Sequence, residues 1–566
     1  MTPHRVRCVP GAAFHRSGTA SRPLLGGAHG PHAETFIARL AASLGDETRL
    51  LVGAGLVVDA DACTFDGRTL RSVRDWEDVI ASDALARVDG AFALAWVDSH
   101  GTLFLARDPI GHRTLYCVLA GDTLVFATTV RALLDAKAAD RRIRLRSVAA
   151  YLSYAYVPEG ETITEGVREL LPGECLSFSN GVLERRAFWD LPAEPTNVVS
   201  EADFRQQLRG HLENAVVALL PDRGPVAASL SGGIDSSLVV ALARRLSADA
   251  VHTFSITFGA EYRDELAWSS LVAEHCGTTH TIVELTPEAI VAHLDHTIAC
   301  LDKPNGDPLT VPNALLFRVM ADASSVALNG EGGDPCFGGP KNVPMVLSSL
   351  YDHGDDSGHH GVLERNYLRA HLKCFDDLGE LLTTDTFAAA CVPPLEAEIA
   401  HWFSDPRWHG LVSKLMAINT RFKGGHHILP KVDALSAPFS IAARSPLFMK
   451  SVVELAFEIP PELKLRGTDE KYLLKESVAD ILPRAILDRP KSGMLVPVEG
   501  WFQGPLLPEA RARILDGLAP LGLFNRAYLE KLLSGKLGGL RPRRGVKIWL
   551  LVALEAHLRA LGLTRA

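Results

Sequence analysis

The six residues Ser231-Gly232-Gly233-Ile234-Asp235-Ser236 constrain this chain more than any other stretch. They follow a short apolar run, Pro225–Leu230, that reads as a strand, and they lead into residues 236–247, whose spacing is helical. A strand turning into a helix through two glycines can bend sharply and bring bare backbone close to a ligand. The unpaired N–H groups at the helix start then face an anion, which the helix dipole favours. Ser231 and Ser236 add hydroxyl donors. Asp235 repels a bare phosphate but suits a magnesium ion riding on one. A lone Ser-Gly-Gly is more simply an ordinary capped turn; the full hexapeptide in this setting favours a nucleotide loop. No G-x-x-x-x-G-K-[ST] occurs, so a Walker-type loop is excluded.

A second glycine-rich turn, Asn329-Gly330-Glu331-Gly332-Gly333-Asp334, follows another strand-like run, Val326–Asn329. With Val251–Phe258 as a further strand, the spacing predicts a parallel sheet. Ligands of such sheets bind at the carboxyl ends of the strands, so both turns are expected to face one crevice. Asp334 can supply a second carboxylate for Mg2+, and Glu331 is placed to orient or deprotonate an amine. A solvated acidic turn is the plain alternative for this segment taken alone. In Asp469–Lys475, at a predicted helix start, Lys471 can stabilise charge on pyrophosphate and on a tetrahedral oxyanion, although most helical lysines are simply solvated. Arg489-Pro490-Lys491-Ser492-Gly493 reads equally as an outer phosphate contact or a surface loop.

With 566 residues the chain exceeds one ordinary core, and two or more domains are expected. Residues 1–190 carry short β-like runs (FALAWVD, TLFLARD, LYCVLA, TLVFATT) punctuated by Gly and Asp, which predict an antiparallel domain. Leu191–Pro195 is the expected linker, and residues 200–566 form the second domain, mainly helical after its strands. A net charge of -9 argues against a nucleic-acid partner but not against ATP, whose site depends on local charge. No apolar run reaches membrane-spanning length, so no membrane association is expected. Nine cysteines without a Cys-x-x-Cys pair suggest neither a disulfide framework nor a zinc site, and a cytoplasmic location.

Taken in order, these motifs resemble the asparagine synthetase family of ATP-pyrophosphatases. Further segments support the resemblance: Asp89–Ala93, Leu105–Gly111, Tyr156–Pro158, Leu171–Glu174, Lys431–Asp433, Ala443–Pro446, and Leu482 through Pro497 with Trp501-Phe502. The resemblance implies an N-terminal-nucleophile (Ntn) hydrolase-like β-sandwich, joined to an adenine-nucleotide α-hydrolase-like parallel-sheet domain with a helical C-terminal part. It implies ATP and Mg2+ as cofactors, with Ser231, Gly232, Gly233, Asp235 and Ser236 around pyrophosphate, and Asp235 and Asp334 on the metal. It also implies Ser255, Ile256, Thr257 and Phe258 beside adenine, Glu331 by the adenylate and amine, and Lys471 steadying the transition state.

Departures from the family pattern direct the expected reaction. Glutamine-using members place a cysteine directly after the initiator Met, as nucleophile. Here residue 2 is Thr, Cys8 stands elsewhere, and no Asn-Gly-Glu segment of the glutamine-binding kind is found in residues 1–190. The first domain is therefore expected to be a degenerate scaffold, and the amine to belong to the substrate. Pro335 replaces the Glu of the usual Asp-Glu pair, Met449 stands where Asp is usual, and Glu331 occupies the position of a tyrosine in β-lactam synthetases. Residues 343–425 match no known segment and can shape a larger pocket. The expected activity is that of a lasso peptide cyclase, which joins an Asp or Glu side chain to the peptide's own N-terminal amine with release of AMP and pyrophosphate. Its expected partners are a peptide with a free N-terminus and a leader-peptide protease, for which the run Arg541–Arg544 is a docking candidate. The alternatives are an ammonia-dependent asparagine synthetase, a β-lactam-synthetase-like small-molecule ligase, and a non-catalytic nucleotide-binding protein.

Overall fold

A computed structural model describes residues 3–8, 25–28, 50–52, 55–195, 199–262, 264–339, 361–489, 494–537 and 543–565. Thr2, residues 343–360, Pro490–Gly493 and the pair Arg541-Pro542, all singled out in the sequence, lie outside the described residues.

The first domain is built on two antiparallel sheets. One has seven strands, running from Val182–Ala187 through Glu174–Ser179, Leu103–Arg107, Val88–Val97 and Leu56–Phe65 to Leu50–Val52, with Arg68–Thr69 paired to Leu56–Phe65. The other has four: Arg168–Glu169, Tyr116–Ala120, Thr123–Ala127 and Leu25–Ala28. Alternation along Val88–Val97 explains the layering. Ala93 and Ala95 pack towards Leu124 and Phe126 of the second sheet. Phe92 and Leu94 pack on the opposite face with Trp76, from the helix Val73–Ala81. The four β-like runs of the sequence thus all form strands, paired as antiparallel neighbours.

The second domain is organised by a six-stranded parallel sheet. Its order is His4–Cys8, Thr279–Leu285, Val251–Thr257, Val226–Ser229, Val326–Leu328 and Ala442–Arg444. The first segment of the chain therefore pairs with the sheet of the second domain, across the boundary drawn in the sequence. Val226–Ser229 has Val251–Thr257 on one side and Val326–Leu328 on the other. The strand order reverses at Val226–Ser229, and a ligand crevice opens at such a switch point. Helices Ile234–Leu246, Leu266–Cys276 and Thr310–Met320 pack on the sheet, and beyond it the chain is mainly helical. No helix among the described residues is long and apolar enough to cross a membrane.

Leu191–Pro195 connects the domains but is docked rather than free. The Trp408 indole donates to Pro192 O at 3.0 Å, and Glu194 N donates to Arg407 O at 2.9 Å. A buried charge network also crosses the interface. Arg107 and Glu169 of the first domain pair at 3.1 Å. Glu169 also holds Lys303 and contacts His426 Nδ1 at 2.9 Å. Burial opposes the Glu169 charge, but Lys303, Arg107 and His426 outweigh it and hold the carboxyl well below its usual range.

Candidate active site

The turn 231–236 leaves the strand Val226–Ser229 and enters the helix Ile234–Leu246. Its shape is held by its own hydroxyls. Ser231 N donates to Ser236 Oγ at 3.1 Å, the two hydroxyls lie 3.1 Å apart, and Gly233 N reaches Ser231 Oγ at 3.3 Å. Gly232 has φ +75°, and a Cβ there would lie 2.5 Å from that of Trp268, so both conformation and space require glycine.

The turn 329–334 leaves the neighbouring strand, and the two turns touch. A Cβ on Gly330 would lie 2.5 Å from Ser236 N, and one on Gly333 would lie 2.0 Å from Asp235 Oδ1. Missing side chains are what let the two loops close on each other. Asn329 Oδ1 accepts from Glu331 N at 3.0 Å and from Ser445 Oγ at 2.8 Å, fixing the approach of Glu331.

Lys471 completes the centre. Its ammonium lies 2.5 Å from Asp235 Oδ2 and 2.5 Å from Asp334 Oδ1, and its side chain is only 1% exposed. Burial pulls its pKa down, but the two carboxylates outweigh burial and leave it raised. The backbone of Lys471 is left-handed, φ 57° and ψ 35°, at the start of the helix Tyr472–Ser477. A lysine in that conformation stores strain of about 1–3 kcal/mol, a cost tolerated mostly at functional sites.

These groups line one open cleft of about 890 Å³. Of the sequence-predicted residues, Ser231, Gly233, Asp235, Ser236, Ser255, Ile256, Glu331, Asp334 and Lys471 line it. Gly232 shapes the turn from behind, and Arg489 Nη1 donates to its carbonyl at 2.8 Å. Thr257 and Phe258 do not line it. The Thr257 hydroxyl is engaged by Asp264 at 3.1 Å, and the Phe258 ring meets Trp501 edge-on at 5.5 Å. Pro335 and Met449 do not line the cleft either. Met449 opens the helix Lys450–Glu458, whose first N–H groups are capped across the interface by Asp89, at 2.7 Å to Lys450 N and 3.0 Å to Ser451 N.

Sequence reasoning missed a second charged group on the cleft wall. Asp307 and Lys431 pair at 2.7 Å, Lys431 being 4% exposed. Burial raises the Glu331 pKa, Asp307 and Asp334 add to the rise, and Lys431 and Lys423 oppose it. Lys423 lines the cleft from a π-helical stretch, Asn419–Ile428. The available signals were an Asp-Pro step at Asp307-Pro308, just before the helix Thr310–Met320, and a Gly-Gly pair at 424–425; neither identifies a ligand-facing charge by itself.

Comparison with known proteins identifies the family of this chain. The asparagine synthase pattern matches residues 207–559, and that of the glutamine amidotransferase domain matches residues 67–189. A putative glutamine-hydrolysing asparagine synthetase of Mycobacterium bovis is 30% identical over 83% of this chain and 76% of its own length. Glutamine-hydrolysing asparagine synthetase 1 of Bacillus subtilis is 24% identical over 78% of this chain and 74% of its own. Fold and site together define an ATP-dependent carbon–nitrogen ligase with a nucleotide-binding parallel-sheet domain. The chain belongs to the asparagine synthase family.

Proposed function

We propose that this ligase closes a ring in a peptide, joining an Asp or Glu side chain to the peptide's own N-terminal amine, as lasso peptide cyclases do. In the first step a carboxylate oxygen attacks the α-phosphorus of ATP, and pyrophosphate leaves. In the second the amine attacks the acyl carbon, AMP leaves, and the amine proton passes to Glu331. The observation that supports the chemistry is the convergence of Asp235, Asp334 and Lys471, because two acids and one cation between the two turns suit a magnesium-bound triphosphate. A protein that only binds nucleotide has no use for Glu331 and Lys471 beside it.

The donor set fits Mg2+, which prefers a few carboxylates together with phosphate and water oxygens. The Lys471 ammonium already sits between the two carboxylates, where a cation is favoured. Among the described residues no group of three or more His, Cys, Asp or Glu side chains is placed to hold a metal, so Asp235 and Asp334 would share the ion with phosphate. When bound, it would neutralise charge on the leaving pyrophosphate.

The ring-closing reading is supported by Glu331 at the cleft wall and by a cleft of about 890 Å³, within the range that buries a sizeable ligand. An ammonia-dependent asparagine synthetase is the second reading; the relatives' names give asparagine synthesis, with glutamine rather than free ammonia as their nitrogen source. Incubation with ATP, Mg2+ and either a ten-residue peptide bearing a free amino terminus and one Asp, or L-aspartate with ammonia, separates the two. Loss of one water from the peptide, with AMP formed, is expected; asparagine formation with an untouched peptide would favour the second reading. A leader-removing protease is the partner proposed for the peptide route, since it would supply the free amine.

A further inference from the structure

Among the described residues, five cationic side chains line the cleft: Lys423, Lys431, Lys471, Lys475 and Arg489. Four of them are neutralised from within the protein. Lys431 pairs with Asp307, Lys471 with Asp235 and Asp334, Lys475 with Asp469, and Arg489 with Glu265. Lys423 alone has no carboxylate partner and no hydrogen bond among the described residues.

Several neighbours in its segment are engaged. Asn419 Oδ1 accepts from Tyr367 at 3.1 Å, and Arg421 donates to Pro172 O at 2.7 Å. Gly425 O accepts from Arg107 at 2.8 Å, His426 contacts Glu169 at 2.9 Å, and His427 lies 3.2 Å from Asn305 Oδ1. A Cβ on Gly424 would lie 2.9 Å from the Phe448 ring, and one on Gly425 would lie 2.8 Å from Pro172. π-helical turns cost hydrogen-bond geometry and are kept mostly at functional sites. This one is pinned on both sides of Lys423, largely by the first domain, and it presents that single unpaired charge to the cleft. Lys423 also lies close enough to Glu331 to oppose the rise in its pKa.

We propose that Lys423 is the specificity residue that receives the donor substrate's carboxylate before it is activated, beside the base that handles the incoming amine. An ammonium here offsets the repulsion between that carboxylate and the triphosphate. The first domain then serves the ligase site by fixing Lys423, with Arg107 and Glu169 as positioning residues. This inference rests on ATP-dependent amidation and not on the ring-closing step, because every donor considered carries a carboxylate.

The test is ATP–pyrophosphate exchange by the wild type, Lys423→Gln and Lys423→Arg, with the ten-residue peptide and with L-aspartate as donors. Lys423→Gln should raise the donor KM on the order of 10- to 100-fold, the weight of a hydrogen bond to a charged group. The KM for ATP should stay unchanged, and Lys423→Arg should recover most of the donor affinity. A raised KM for ATP with an unchanged donor KM would overturn the proposal and make Lys423 a phosphate contact. If the peptide is inert and aspartate active, the cyclase reading fails while the Lys423 test still runs. A second measurement needs no turnover. Lysines are reductively methylated with 13C, and the Lys423 resonance, identified by its absence in Lys423→Gln, is followed as both donors are titrated in the presence of Mg2+ and α,β-methylene ATP. A resonance that moves with either donor, but not with the Asn version of the peptide, supports the proposal; one that moves with none of them overturns it.

Discussion

Asp235 and Asp334 lie on separate strand-end turns, yet each stands 2.5 Å from the same Lys471 ammonium. Two acids this close to one buried cation form a unit, and removing any member leaves charge uncompensated. Asp235→Asn should therefore end pyrophosphate release while far-ultraviolet circular dichroism stays native. Activity within a few-fold of wild type would refute its role at the triphosphate.

Loop contact depends on the absence of a single carbon. Gly333→Ala would put that carbon 2.0 Å from Asp235 Oδ1, and Gly330→Ala would put it 2.5 Å from Ser236 N. Either change should push the turns apart and weaken nucleotide binding at least tenfold, a loss of about 1.4 kcal/mol. Calorimetric titration with α,β-methylene ATP reads this directly; wild-type affinity in both variants would show that the turns do not hold nucleotide together.

Glu331 should act on the second chemical step. As a base it works deprotonated, and burial together with Asp307 and Asp334 raises its pKa. Amide formation should thus fall with decreasing pH at a pH above the ordinary carboxylate range. Glu331→Gln should slow amide formation more than ATP–pyrophosphate exchange, and Lys423→Gln, which removes a charge opposing the rise, should move the acid limb to higher pH. Equal losses in both steps would count against the assignment.

At the domain interface, Glu169 is fully buried against Arg107 and Lys303. Glu169→Gln leaves two buried cations short of a partner, and breaking such a pair costs about 3–5 kcal/mol. Urea unfolding should show a clearly lower midpoint. An unchanged midpoint would mean that the network adds nothing to docking of the domains.

His557 is fully buried, and among the described residues neither ring nitrogen finds a hydrogen-bond partner. Burial, assisted by Arg131, lowers its pKa to about 3. Because the folded-state value lies below the unfolded one, the unfolded chain binds the proton first, and stability is lost as pH falls from the ordinary histidine range towards 3. His280, lowered by burial to about 4, acts in the same direction. His557→Phe should flatten part of the acid limb of stability while costing little at neutral pH. An identical pH dependence in the variant would contradict this.

What was legible in the sequence was local. Glycines between a strand and a helix, with acids at fixed offsets, mark a backbone that must approach a ligand, and Ser231–Ser236 and Asn329–Asp334 meet as that pattern implies. Short β-like runs between Gly and Asp likewise identified the strands of the first domain, FALAWVD falling within Val88–Val97 but for its last residue. What escaped depends on distant partners. Lys431 sits in a helix and resembles any solvated lysine until Asp307 is brought beside it. Lys423 matters through what does not pair with it, which no spacing encodes. His4–Cys8 joins the sheet of the other domain because the edge of Thr279–Leu285 is open to it, a pairing across more than 270 residues. Met449 looked like a lost acid, whereas Asp89 supplies the cap from the first domain.

The bond broken in ATP tests the account most directly. With the donor carboxylate labelled with 18O, and the ten-residue peptide or L-aspartate with ammonia as substrate, the products are followed by 31P NMR and mass spectrometry. Transfer of one 18O into AMP, with pyrophosphate released in equal amount, is the predicted result. Formation of ADP and inorganic phosphate, with AMP free of label, would contradict it.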